Sequence, residues 1–261
     1  MQDLTITLLQ TSLAWHDQAA NREHFAELVH SLPVNTDVAI LPEMFTTGFT
    51  MDAATYAEPM SGPSVRWLTD LARERGVTLC GSLNIANGGQ YFNRFLWATP
   101  DGQCQYYDKR HLFRMAGEHH HYTAGQQRLI VELNGWRICP MVCYDLRFPV
   151  WSRGINEFDL LVYVANWPAA RRSAWTTLLP ARAVENQCYV AGVNRVGSDG
   201  NSIAYAGDSS VHDFLGECLA DLGAEPGQAT VALSHDALTR YRQKFPAWQD
   251  ADTFRLTPDQ R

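Results

Sequence analysis

Short apolar runs alternate along the chain with stretches whose apolar residues recur every three or four positions. The run 4–9 is typical of a strand, the segment after Asp17 has helical spacing, and the run 37–41 is again strand-like. This order predicts a β-α-β unit at the start of the chain. The turns at 88–89 and 100–102 predict two successive antiparallel hairpins, so we expect an α/β domain whose sheet is mixed.

Four of the predicted strands end abruptly on residues that could take part in a reaction. They are Glu43 after 37–41, Lys109 after 103–108, Cys143 after 136–142 and Asn166 after 159–165. Active sites of sheet proteins with helices on their faces collect where strands end. The repetition therefore carries more weight than any one of the four residues.

Cys143 is the central candidate because the apolar run before it cannot continue without burying Asp145 and Arg147. We expect it in a sharp turn, with a free main-chain N–H beside it. A thiol in this position can be a nucleophile, although most free cysteines are simply small buried apolar residues.

A thiol nucleophile also needs a base and a group that stabilises negative charge. Histidine is the usual base, but the nearest ones, His111 and the run 119–121, do not follow a strand that would place them opposite Cys143. Glu43 can serve instead, and Lys109 can supply positive charge. Taken singly, Glu43 could equally be a loop carboxylate and Lys109 a solvated lysine.

Composition narrows the possible partners. The chain has 261 residues, a net charge of −7 and no cluster of Lys and Arg, so nucleic acid is not an expected ligand. No apolar run is long enough to cross a bilayer, and the N-terminal residues do not resemble a secretory signal, so we expect a cytoplasmic protein without membrane contact. Its six scattered cysteines should be reduced, and the histidine run lacks the spacing of a metal site.

Three segments resemble the motifs of the nitrilase superfamily of carbon–nitrogen hydrolases, and they occur in the order found in that family. They are LPEMF at 41–45, YDKRHL at 107–112 and VCYDLRFP at 142–149. The resemblance covers nearly the whole chain and includes ARAVEN at 181–186 and NRVG at 194–197.

This resemblance implies a four-layer αββα sandwich that forms homodimers and needs neither a metal nor an organic cofactor. It implies that Glu43 is the general base and Cys143 the nucleophile, while Lys109 and the N–H of Tyr144 bind the oxyanion. A second family glutamate matches Glu118, which would orient Lys109 or the substrate.

Within the superfamily the chain resembles the omega-amidases of bacteria, which hydrolyse the terminal amides of 2-oxo acids such as 2-oxoglutaramate and 2-oxosuccinamate. Such substrates carry a carboxylate, for which Arg171 or Arg172 could provide a cation. Both arginines could instead be solvated at the start of a helix. Phe45 and Trp167 are candidates for the pocket wall or, alternatively, for the core.

Other interpretations remain open at this point. A nitrilase or an N-carbamoyl amino acid amidohydrolase would use the same three residues, a non-enzymatic interaction protein could keep the fold, and a Cys-His hydrolase could have another fold. We expect a single carbon–nitrogen hydrolase domain over 1–261. Its polar tail, 246–261, contains Trp248 and Phe254 and is expected to pack at a dimer interface.

Overall fold

A computed structural model describes residues 2–256 of the chain and contains two six-stranded sheets. Its strands are β1 (Leu4–Gln10), β2 (Val38–Ile40), β3 (Thr78–Asn87), β4 (Gln90–Ala98), β5 (Cys104–Asp108), β6 (Val131–Leu133), β7 (Trp136–Val142), β8 (Leu160–Ala165), β9 (Tyr189–Asn194), β10 (Val196–Ser198), β11 (Ala204–Ala206), β12 (Ser210–His212), β13 (Cys218–Asp221) and β14 (Gly227–Leu233). Its α-helices are α1 (Gln18–His30), α2 (Ala53–Tyr56), α3 (Pro63–Arg75), α4 (Pro149–Ser152), α5 (Arg172–Asn186) and α6 (His235–Lys244).

The two sheets repeat one pattern. The strand order is β14-β1-β2-β3-β4-β5 in the first and β13-β12-β9-β8-β7-β6 in the second. In each sheet three adjacent strands are parallel, β1 to β3 and β7 to β9, and the remaining strands join antiparallel at the edges. The predicted mixed arrangement is confirmed. The hairpins at 88–89 and 100–102 produce the antiparallel edge β4-β5.

Apolar side chains place the helices outside the paired sheets. Leu8 and Ile40 of the first sheet share a buried core with Ile138 and Val162 of the second. The other face of the first sheet is covered by α1 and α3, while α5 packs on the second sheet through residues such as Trp175. Because sheets and helices must bury one apolar face each, this gives the αββα sandwich that the resemblance predicts.

Helix ends follow the sequence signals. The Asp17 side chain accepts a hydrogen bond from the N–H of Ala20. Helix α3 begins at Pro63 and ends at Arg75, just before Gly76, whose φ of 65° lies in the left-handed region. Between residues 2 and 256, no helix is long and apolar enough to cross a membrane.

Candidate active site

Four strand ends meet at one edge of the sandwich, although they come from both sheets. Lys109 Nζ lies 2.9 Å from Glu43 Oε1, and the N–H of Asn166 donates to Glu43 Oε2 at 2.8 Å. Cys143 follows β7 directly and faces the same group of charges. The predicted convergence of Glu43, Lys109, Cys143 and Asn166 is therefore present.

Cys143 begins a 3₁₀ turn, Cys143–Arg147, with a φ of 44°. Such a backbone conformation costs free energy for a residue other than glycine and persists where the surrounding structure imposes it. Asp145 imposes it here, since its buried carboxylate accepts hydrogen bonds from the N–H of Val142 and the hydroxyl of Tyr107. The N–H of Tyr144 lies in the first turn of this 3₁₀ segment, where main-chain donors have no partner within the helix.

Glu118 reaches the same site from the segment after β5. The region 114–128, which has no regular pattern in the sequence, contains two 3₁₀ turns, Arg114–Ala116 and Glu118–His120. Both carboxylate oxygens of Glu118 lie 3.0 Å from Lys109 Nζ, so the ammonium lies between two glutamates. All three side chains are almost completely buried.

The buried charges shift one another's protonation. Burial alone would lower the pKa of Lys109, but the carboxylates of Glu118 and Glu43 outweigh it and raise that pKa above its ordinary value. Burial raises the pKa of Glu118, with Lys109 opposing the shift. Burial also raises the pKa of the Cys143 thiol well above its ordinary value; the charge of Glu43 adds to this, and Lys109 lowers it. Burial thus favours the neutral thiol of Cys143 over its thiolate.

The two glutamates differ in how many hydrogen bonds they already accept. Glu118 accepts two from Lys109, one from Asn93 Nδ2 and one from the N–H of Phe113. Glu43 accepts two at Oε1, from Lys109 and Asn93, but only that of Asn166 at Oε2. Since a carboxylate has about four acceptor positions, Glu43 retains one open position and Glu118 retains none.

Cys143 and Lys109 open into a cavity of about 530 Å³. Several aromatic side chains line it, among them Trp15, Phe49, Phe113 and Trp167. Trp167 therefore lines the pocket, as one of its two interpretations predicted. Phe45 does not, and its assignment to the substrate pocket is wrong: it is fully buried beneath the first sheet and packs edge to face on Phe25.

The two candidate arginines have different environments. Arg171 lines the cavity, with its guanidinium 5.3 Å from the centre of the Phe113 ring. Arg172 is directed elsewhere and makes two hydrogen bonds of 2.7 Å to the carboxylate of Asp208, so its assignment to the substrate is wrong. Sequence reasoning missed Arg147, which also lines the cavity, 5.2 Å above the Trp167 ring. Arg147 lies in the same sequence motif as Cys143, and that position could have identified it as a candidate for the pocket.

The described residues, 2–256, contain no group of three or more His, Cys, Asp or Glu side chains that could hold a metal ion. The histidines at 119–121 lie at the end of the second 3₁₀ turn, where the ring centres of His119 and His120 are 3.8 Å apart.

Comparison with known proteins agrees with this geometry. The family model of the carbon–nitrogen hydrolases matches residues 5–243. An omega-amidase of Escherichia coli K12 is 53% identical over 259 residues, covering 98% of this chain and 100% of that protein. The 2-oxoglutaramate amidase of Bacillus subtilis 168 is 32% identical over 251 residues, covering 94% and 96%.

A solved structure extends the agreement to the fold. A CN-hydrolase superfamily protein of Xanthomonas campestris, which carries an arsenic adduct in its active site, superposes with a TM-score of 0.96 at 50% identity, covering 98% of this chain and 100% of that one. The family model and the full-length relatives together establish that this chain belongs to the carbon–nitrogen hydrolases of the nitrilase superfamily.

Proposed function

We propose that this protein is an omega-amidase, which hydrolyses the terminal amide of 2-oxo acids such as 2-oxoglutaramate to a dicarboxylate and ammonia. The observation that carries the proposal is the buried Glu43-Lys109-Glu118 group beside the strained Cys143 turn. Its 53% identity to an omega-amidase over almost the whole chain supports the substrate class.

The first half of the reaction forms a thioester. Glu43 takes the thiol proton at its open acceptor position, and the thiolate of Cys143 attacks the amide carbon. Lys109 Nζ and the N–H of Tyr144 hold the oxyanion that forms. When the C–N bond breaks, Glu43 returns its proton to the nitrogen, which leaves as ammonia.

The second half cleaves the thioester. Glu43 now takes a proton from water, and the resulting hydroxide attacks the same carbon. The C–S bond breaks and the acid is released. Glu43 returns its proton to the sulfur of Cys143. Glu118 takes no proton in either half of the reaction, because its acceptor positions are already filled. Its role is to orient Lys109.

The test is a parallel assay of ammonia release from three substrates: 2-oxoglutaramate, a nitrile and an N-carbamoyl amino acid. The proposal expects the omega-amide to be hydrolysed with by far the highest kcat/KM. A preference for the nitrile or the carbamoyl compound would reassign the enzyme within its family. If none of the three substrates releases ammonia, the result would support a non-enzymatic role for the fold.

Substrate charge gives a more specific prediction. Arg171→Gln should lower kcat/KM for 2-oxoglutaramate by about 10- to 100-fold, the effect of losing a charge-assisted hydrogen bond to the substrate carboxylate. It should leave a neutral amide such as butyramide nearly unaffected. Arg172→Gln is the matched control, because that neighbouring arginine is held by Asp208 and should not discriminate between the two substrates. Equal losses on both substrates with Arg171→Gln would contradict the assignment.

We further propose that the chain is a single domain over 1–261 and forms a homodimer through a face that includes its C-terminal tail. Large apolar side chains are exposed near this region: Val150 and Phe245 are each 57% exposed and Phe254 is 43% exposed. The main-chain N–H of Trp248 donates to Gln187 Oε1 of the same chain, and 257–261 lie outside the described residues. Sedimentation equilibrium should give about twice the chain mass of 29.4 kDa; a monomer would contradict the proposal.

We place the enzyme in the cytoplasm, because a catalytic thiol must remain reduced and thiols are kept reduced there. All six cysteines are free.

A further inference from the structure

Asn93 is a polar side chain in the middle of β4, and it is completely buried. Its Nδ2 lies 2.7 Å from Glu43 Oε1 and 3.3 Å from Glu118 Oε1, so one amide group bridges both carboxylates. Its main-chain carbonyl accepts a hydrogen bond from the N–H of Lys109 at 3.0 Å. One residue therefore contacts both buried carboxylates and the main chain of Lys109.

A directional chain of donors fixes the amide of Asn93. The N–H of Met44 can only donate, and it donates to Ser82 Oγ at 2.9 Å. The proton of the Ser82 hydroxyl is then free to donate to Asn93 Oδ1, 2.8 Å away. A flipped amide would direct its oxygen at two carboxylates, so Nδ2 must face Glu43 and Glu118.

We propose that Asn93 is a positioning residue that keeps Glu43 ionised and leaves Oε2 as the oxygen that accepts the thiol proton. This inference rests on the proposed role of Glu43 as the base. Two carboxylates that share a buried site tend to share a proton, and donors to their charged forms oppose this. By occupying the second acceptor position of Oε1, Asn93 restricts proton transfer to Oε2, where Asn166 is the other donor.

The test compares Asn93→Leu with the wild type in two pH profiles. One is kcat/KM for 2-oxoglutaramate, and the other is the rate at which iodoacetamide alkylates Cys143, followed by intact-protein mass spectrometry. Without the two donors, the acid limb of both profiles should move to higher pH by about one unit or more. The value of kcat should also fall by about 100-fold, since Glu43 loses its fixed position.

Asn84 provides the matched control. It lies directly opposite Asn93 in β3, is also buried, and is hydrogen-bonded to Thr47 and Tyr122 rather than to the charged groups. Asn84→Leu should destabilise the fold comparably but leave the acid limb where it is in the wild type.

Ser82→Ala keeps Asn93 but removes the hydroxyl that orients its amide. It should shift both profiles in the same direction by a smaller amount, and it tests the inference even where Asn93→Leu does not fold. Unchanged alkylation profiles in these variants would overturn the inference. If the alkylation profile shifts in the variants but the wild type does not hydrolyse 2-oxoglutaramate, the role of Asn93 is upheld and the proposed substrate is rejected.

Discussion

Cys143→Ala is expected to abolish ammonia release from 2-oxoglutaramate, with a loss of about 10⁴-fold or more in kcat. Both halves of the proposed reaction pass through a bond to this sulfur, and Lys109 and Tyr144 can only stabilise charge that an attacking atom creates. The variant should still bind 2-oxoglutaramate, because its cavity and Arg171 are unchanged. Isothermal titration with the substrate and a coupled ammonia assay check the two parts separately.

The control for this variant is Cys139→Ala. Cys139 lies on the same strand, β7, and is completely buried on the face opposite to that of Ile138, where burial raises the pKa of its thiol to about 12. Replacing it removes a buried sulfur without changing the cavity, so stability should fall slightly and activity should persist. Substantial hydrolysis by Cys143→Ala would refute the thioester mechanism, whatever the substrate.

The ends of the strands could be predicted from the sequence because burial restricts which residues a strand can contain. A buried strand must end before residues that it cannot bury, and this placed Glu43, Lys109, Cys143 and Asn166 at strand ends. The resemblance to a family supplied what the pattern could not, namely that these ends face one another across two sheets. Glu118 needed the resemblance as well, since its segment has no periodicity.

The errors arise where side-chain direction is not periodic. Phe45 follows Glu43 by two residues, but Met44 between them has a φ of 44°, so the alternation of a strand no longer applies and Phe45 turns into the core. Arg171 and Arg172 are adjacent at the start of a helix, where one position changes the direction by about 100°. The partner that holds Arg172, Asp208, is 36 residues further along the chain and could not be inferred.

Asn93 was overlooked for a related reason. A polar residue within a strand is noticeable only when its neighbours are recognised as buried, and here Arg94 directly follows it. That arginine is itself buried and forms two hydrogen bonds with Asp108, so the alternating pattern of β4 conceals two separate polar clusters.

Lys109→Met is expected to eliminate activity and, in addition, to make the stability of the fold depend strongly on pH. In the wild type the folded-state pKa of Lys109 is raised, so its contribution to stability is fully present below the unfolded value of about 10.4 and is lost only above it. Its ammonium therefore offsets the buried glutamates at all pH values near neutrality. Removing one partner of a buried ion pair costs about 3–5 kcal/mol when the remaining charge has no compensation.

The sign of the pH effect follows from Glu118. Without the ammonium, nothing opposes the effect of burial on this carboxyl, so its folded-state pKa rises further above the unfolded value of about 4.3. The unfolded chain then releases protons first, so the free energy of unfolding falls as pH rises through that interval. The melting temperature of Lys109→Met should thus be closest to that of the wild type near about pH 5 and should fall well below it by about pH 8.

The chain offers a matched control, because Lys244 is its only other lysine and is exposed on α6. Lys244→Met changes the net charge by the same amount without affecting the site, and its melting curve should follow the wild type across the same pH range. If the melting temperature of Lys109→Met also follows that of the wild type across this pH range, Glu43 and Glu118 do not depend on this ammonium for their charge. The arrangement that makes Glu43 the base, with Lys109 held between two ionised carboxylates, would then be wrong.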